Sequence, residues 1–203
     1  MGEAARITKP MTVEEFLAWD PGDDFVYELI DGFPRLKDPP NPDLMGQAAP
    51  TDDHNAIVAN LMVALAAVVR SRGLPCRVLP GSGQRIQRRR NRMRIPDLMV
   101  KCGASPRDAT EPLLVAEVLS PSNTAIDLAE RDMDYRSLPG LREILLIEQD
   151  RPAVTIARRV GDLWRTDRVE GLDAVLTLET VETDLPLSEL YRDVIDALAA
   201  AGT

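Results

Sequence analysis

Leu113-Leu114-Val115-Ala116-Glu117-Val118-Leu119 is an aliphatic run with one carboxylate set inside it. A short continuous apolar run reads as a strand covered on both faces, where each residue is shielded from water. Glu117 is then a buried acid, and a buried charge is costly unless it is paired or holds a cation. Twenty residues upstream, Ile95-Pro96-Asp97-Leu98-Met99-Val100 repeats the anomaly with Asp97. A third case lies in Phe25 to Asp31, where strand alternation sets Val26, Glu28 and Ile30 on one face. Three acids on separate strands of one sheet, if they converge, repel one another. A divalent cation relieves that repulsion, and hard oxygen donors with a single histidine in the chain suit Mg2+ or Mn2+.

Around these strands the chain alternates helices and strands, without repeats or low-complexity tracts. Thr12 caps a short helix over Val13 to Trp19 that Pro21-Gly22 stops. Phe25 to Ile30 and Phe33 to Lys37 form a hairpin about Asp31-Gly32, followed by a proline-rich loop from Pro39 to Pro50. Asp52 and Asp53 open a long helix ending at Gly73, with Ile57, Leu61, Ala64, Leu65 and Val68 periodic and Val58, Met62, Val63 and Val69 widening its buried face. Further strands are expected at Cys76 to Leu79, Gln84 to Gln87, Pro96 to Lys101, Leu113 to Leu119, Ile144 to Ile147, Ala153 to Arg158, Asp162 to Arg168 and Ala174 to Leu178. A helix from Thr124 to Arg136 is expected to turn Ile126, Ala129 and Met133 to the core, and a helix from Leu187 to Ala200 closes the chain. Hairpins mixed with helical crossovers imply an α/β fold with a mixed sheet flanked by helices.

The 203 residues suit one domain, 1–203, with its core over about 11–192. No apolar run approaches the roughly 18 to 20 residues that span a bilayer, and Met1 to Pro10 lacks the apolar core of a signal peptide, so the expected compartment is the cytoplasm, with no membrane partner. Cys76 and Cys102 are too few for a disulfide framework and read as small apolar strand residues. A net charge of -9 argues against a general nucleic-acid binder, yet the charge is uneven. Residues 70–107 hold eleven bases and one acid, and Arg85, Arg88, Arg89, Arg90, Arg92 and Arg94 fall within ten residues. That stretch is either a solvated turn or a phosphate-contacting loop, since guanidinium matches phosphate with paired donors.

Pro96-Asp97 followed by Glu117-Val118-Leu119 resembles the PD-(D/E)xK signature of the restriction-endonuclease-like superfamily, whose acids hold Mg2+ beside a scissile phosphodiester. The order of segments resembles the Uma-two family more closely: Met11-Thr12-Val13-Glu14-Glu15-Phe16-Leu17, Tyr27-Glu28-Leu29-Ile30-Asp31-Gly32, His54, Pro96-Asp97-Leu98, Glu117-Val118-Leu119-Ser120-Pro121-Ser122, and Asp127 through Tyr135. The resemblance implies a restriction-endonuclease-like fold and a metal-dependent endonuclease acting on DNA or RNA. It implies Asp97 and Glu117 as Mg2+ ligands with the main-chain carbonyl of Val118, and Glu28 and His54 as completing the site or orienting water. It also makes a homodimer compatible, because many enzymes of the superfamily pair to cut duplexes.

One position departs from the pattern. Leu119 stands where the motif has lysine, and the family supplies lysine from the next helix, where this chain has Arg131. Arginine stays protonated, so it can stabilise charge and cannot act as a base. From helix spacing alone Arg131 is an i, i+4 partner of Asp127. Tyr135 reads as packing, and Ser120 and Ser122 as turn and cap residues. The rival reading is a nuclease-fold module that binds nucleic acid or protein and has lost its chemistry; the retained buried acids oppose it.

Overall fold

The computed structural model describes residues 9–37, 51–86, 91–103, 111–120 and 123–194. The proline-rich loop, Arg88, Arg89, Arg90, Pro121, Ser122 and the far end of the closing helix lie outside the described residues. The helices are α1 (Val13–Leu17), α2 (Asp52–Ser71), α3 (Ala125–Arg136) and α4 (Leu187–Leu190). The strands are β1 (Tyr27–Ile30), β2 (Phe33–Leu36), β3 (Cys76–Pro80), β4 (Gln84–Arg85), β5 (Met93–Arg94), β6 (Leu98–Cys102), β7 (Leu114–Leu119), β8 (Glu143–Glu148), β9 (Ala153–Val160), β10 (Leu163–Glu170), β11 (Val175–Leu178) and β12 (Thr183–Pro186). They fall into two compact units.

The hairpin unit comprises Met1–Ala49, Gly83–Ile95 and Ser122–Leu138. Its sheet has the order β2-β1-β5-β4, with antiparallel neighbours. Asp31 and Gly32 make the β1–β2 turn with φ of 52° and 89°, the paired positive values that an Asp-Gly hairpin turn supplies. Gly32 is required twice over, because a Cβ there would stand 2.5 Å from the Pro10 Cβ. Thr12 and Glu15 close a capping box on α1, whose Val13 and Phe16 pack with Leu29 and Met93.

Helix α3 departs from the expected pattern. Ile126 and Met133 are 75% and 51% exposed, while Arg131, Asp134 and Tyr135 are its buried residues. This inward face is ion-paired rather than apolar, so hydrophobic periodicity misassigned it.

The sheet unit comprises Pro50–Ser82, Pro96–Pro121 and Pro139–Thr203. Its six strands run in the order β10-β9-β8-β7-β6-β3, antiparallel throughout except for the parallel pair β7–β8. A parallel pair needs a crossover, and α3 lies in that connection. β7 is interior to the sheet, and Leu114 through Val118 are all buried, as its unbroken apolar run requires.

Helix α2 contributes Ile57, Leu61, Leu65 and Val69 to this unit's core. Val63 faces outward, so the buried stripe is narrower than the sequence suggested. By length and composition α2 could cross a membrane, but its stripe packs in the sheet unit's core and Asn60 donates to the carbonyls of Leu190 and Arg192.

The cysteine reading is corrected. β3 and β6 place Cys76 directly opposite Cys102, with Cα atoms 4.0 Å apart, and the two sulfurs are bonded.

Candidate active site

In the sheet unit, Asp97 immediately precedes β6 and Glu117 lies in β7. The register pairs Leu98 with Ala116, so the next cross-strand pair is Asp97 with Glu117. Directly opposed side chains share a face, and two like charges there destabilise the sheet. Both acids are buried, at 9% and 4% exposure.

Their carboxylates are held reciprocally. The Val118 N–H donates to Asp97 Oδ2 at 2.8 Å, and the Asp97 N–H donates to Glu117 Oε2 at 3.4 Å. His54, buried near the start of α2, brings Nε2 to 3.2 Å from Asp97 Oδ2. Its own N–H donates to the Thr51 hydroxyl, which caps the helix. This fixes the imidazole's origin.

Two opposed carboxylates fit a small hard cation, because Mg2+ takes one or two protein carboxylates and completes its octahedron with water and substrate phosphate. Among the described residues no group of three or more His, Cys, Asp or Glu side chains stands close enough to hold a metal ion.

Glu28 belongs to a buried ion network in the hairpin unit. Oε2 accepts from Arg94 Nη1 at 2.8 Å, and Oε1 accepts from the Ile95 N–H at 2.8 Å and from Arg131 Nη1 at 3.2 Å. Arg94 Nε donates to Asp134 Oδ2 at 2.7 Å, and Arg92 Nε lies 3.1 Å from the same oxygen. Arg92 also donates to Glu130 Oε2 at 3.3 Å. Burial alone would pull the Arg94 guanidinium down; Glu28 and Asp134 more than reverse this and hold it above the usual arginine value.

The network redraws the arginine-rich stretch. Arg92 is fully buried and Arg94 is 4% exposed, so strand alternation turns both inward while Met93 between them joins the α1 core. They are structural cations and do not present guanidinium to solvent. Arg85 is half-exposed and pairs with Glu14 at 2.6 Å. Arg131 points to Glu28, while Asp127 receives the Thr124 cap.

Sequence reasoning missed Asp134, Glu130 and Lys37, all in the hairpin unit, and the buried Glu143, which accepts from Arg158 and from the amides of Glu179 and Thr180. The available signal for Asp134 was its place beside Tyr135, three residues from Arg131, in a polar stripe along one side of α3.

A crystal structure of a putative nuclease belonging to DUF820, from Anabaena variabilis ATCC 29413, matches with a TM-score of 0.69 and 18% identity, covering 91% of this chain and 99% of that one. At this identity the likeness is one of fold, and the fold is restriction-endonuclease-like, with a mixed α/β sheet flanked by helices. No match is found among curated proteins. The family model described as Uma2, putative restriction endonuclease, matches residues 13–188, which is most of the chain, and the chain therefore belongs to the Uma2 family.

Proposed function

We propose that the chain is a metal-dependent endonuclease that hydrolyses phosphodiester bonds in nucleic acid, DNA ahead of RNA. The carrying observation is the opposed pair of buried acids, Asp97 just before β6 and Glu117 on β7, each carboxylate accepting from a main-chain N–H of the other segment. A fold that keeps two like charges buried face to face sacrifices stability, and such sacrifice is characteristic of functional sites. A nuclease family and a nuclease-named structural neighbour support the same reading.

Asp97 and Glu117 would hold Mg2+ or Mn2+, with the Val118 carbonyl that the family resemblance implies. A metal bound there would lower the pKa of a coordinated water and polarise the phosphate. Within hydrogen-bonding reach of Asp97, His54 would position water or carry a proton at Nε2. Arg131 and Glu28 enter on the resemblance. Arg131 would offset negative charge in the transition state, and Glu28 would fix the Arg131 guanidinium through the 3.2 Å contact.

The test is cleavage of single- and double-stranded DNA and of RNA with Mg2+ or Mn2+. Wild type should cleave, and Asp97→Ala and Glu117→Ala should fall to background while folding normally. Nucleic-acid binding without cleavage under either metal would favour the noncatalytic module, which the replacement of lysine by Arg131 supports.

A further inference from the structure

Helix α2 buries one side and leaves the other open. Ile57, Leu61, Leu65 and Val69 enter the sheet unit's core, while Asp52, Ala59, Val63, Ala67 and Arg70 are exposed. At about 3.6 residues per turn, Asp52 and Arg70 are five whole turns apart, about 27 Å, with Ala59 and Val63 on the line between them. Val63 is 64% exposed.

A helix face turned to water ordinarily carries charge, and this one carries none between its ends. From Asn55 to Val69 the sequence has no acidic or basic side chain. The edge strand β10 of the same unit shows the ordinary case, where Arg165 pairs with Asp167 and Arg168 with Glu170. An exposed apolar face with opposite charges at its two ends has the character of a contact surface.

The arrangement along α2 is self-complementary. About a point level with Leu61, Asp52 mirrors Arg70, Asn55 mirrors Ala67, and Ala59 mirrors Val63. Two such helices laid antiparallel therefore set acid over base at both ends and the larger Val63 over the smaller Ala59 in the middle. A two-fold axis makes each contact twice from one surface. Alanines along the contact let the helix axes approach to about 8 Å, the short end of the usual range. A parallel pairing would instead oppose Asp52 to Asp52 and Arg70 to Arg70, which repel. Among the described residues neither Asp52 nor Arg70 makes an ion pair. One acid and one base also leave the line neutral in a chain of net charge -9, so two like-charged copies meet where their repulsion is least.

We propose that this face of α2 docks a second copy of the chain, the two helices antiparallel about Leu61, with Val63 packed on the partner's Ala59 and Asp52 paired with the partner's Arg70. The sheet unit alone supplies the surface, and the pairing holds whether or not the chain cuts nucleic acid.

The experiment is sedimentation equilibrium of the full chain across the micromolar range, with circular dichroism confirming the native fold of each variant. Wild type should approach twice the 22.4 kDa chain mass. Val63→Glu, which puts two carboxylates into the apolar centre, should sediment as one chain. Asp52→Lys and Arg70→Glu each set like charges together at both ends and should weaken association about tenfold, the scale of two exposed ion pairs. Combining Asp52→Lys with Arg70→Glu restores opposite charges and should return association to the wild-type value. That recovery also carries the test if Val63→Glu fails to fold, because a charge reversal that merely harmed the helix would be worsened by the second reversal.

A wild type that stays at the mass of one chain would overturn the proposal and leave the face to another occupant. So would a dimer that Val63→Glu does not dissociate, single charge reversals that associate as wild type does, or a double reversal no better than the singles.

Discussion

In the hairpin unit Glu28 and Asp134 are met by the guanidinium groups of Arg92, Arg94 and Arg131, whereas in the sheet unit Asp97 and Glu117 are held by each other's strand amides and by His54. Glu143 makes the contrast sharper, because the sheet unit satisfies that acid with Arg158 and two amides. Both units thus build covalently attached cations into buried acid sites. At Asp97 and Glu117 two acids face each other across a strand pair, and a bound divalent ion would do there what the arginines do for Glu28. The difference teaches that burial of an acid does not itself mark function; the kind of partner does.

The largest effect should come from breaking the hairpin-unit network. Arg94→Met removes one cation from both Glu28 and Asp134, and loss of one partner from a buried ion pair costs about 3–5 kcal/mol. Urea unfolding reads this directly, and a loss below about 1 kcal/mol would mean the network is no more than a surface-type pair.

A smaller effect belongs to another buried polar group of the sheet unit. The Tyr191 hydroxyl sits among the Glu148 carbonyl and the Ala153 carbonyl and amide, and burial pushes its pKa up to about 12 from the ordinary 10.0. The protonated form is the one the fold favours, so its contribution is fully present below pH 10 and is lost as pH rises through about 12. Tyr191→Phe should lower stability at neutral pH by about 1 kcal/mol and flatten the decline between those two values, as followed by alkaline denaturation.

The smallest change in stability should come from Asp97→Asn. Removing one of two opposed like charges should leave stability within about 1 kcal/mol of wild type, or raise it, even as cleavage is lost. A loss comparable with Arg94→Met would make Asp97 a structural acid like Glu28 and erase the contrast.

The features legible in the sequence were those set by short-range pattern. The apolar run around Glu117 gave an interior strand, Asp31-Gly32 gave the hairpin, and the 57/61/65 spacing gave α2. Asp97 and Glu117 stood out because a lone acid in an aliphatic run violates that pattern. Long-range pairing was not legible. Helix α3 presents Arg131, Asp134 and Tyr135 to the interior because arginines from β5 meet it there, and no periodicity of apolar residues encodes that partner. The two-residue β5 was hidden in the arginine run for the same reason. The Cys76–Cys102 bond follows only from the β3–β6 register, which twenty-six residues of separation conceal.

The most direct measurement is calorimetric titration of Mn2+ into wild type, Asp97→Ala, Glu117→Ala and Glu28→Gln, each checked for native circular dichroism. The account predicts binding to wild type, its loss in Asp97→Ala and Glu117→Ala, and its retention in Glu28→Gln. Equal binding in wild type and Asp97→Ala, or loss confined to Glu28→Gln, would contradict it.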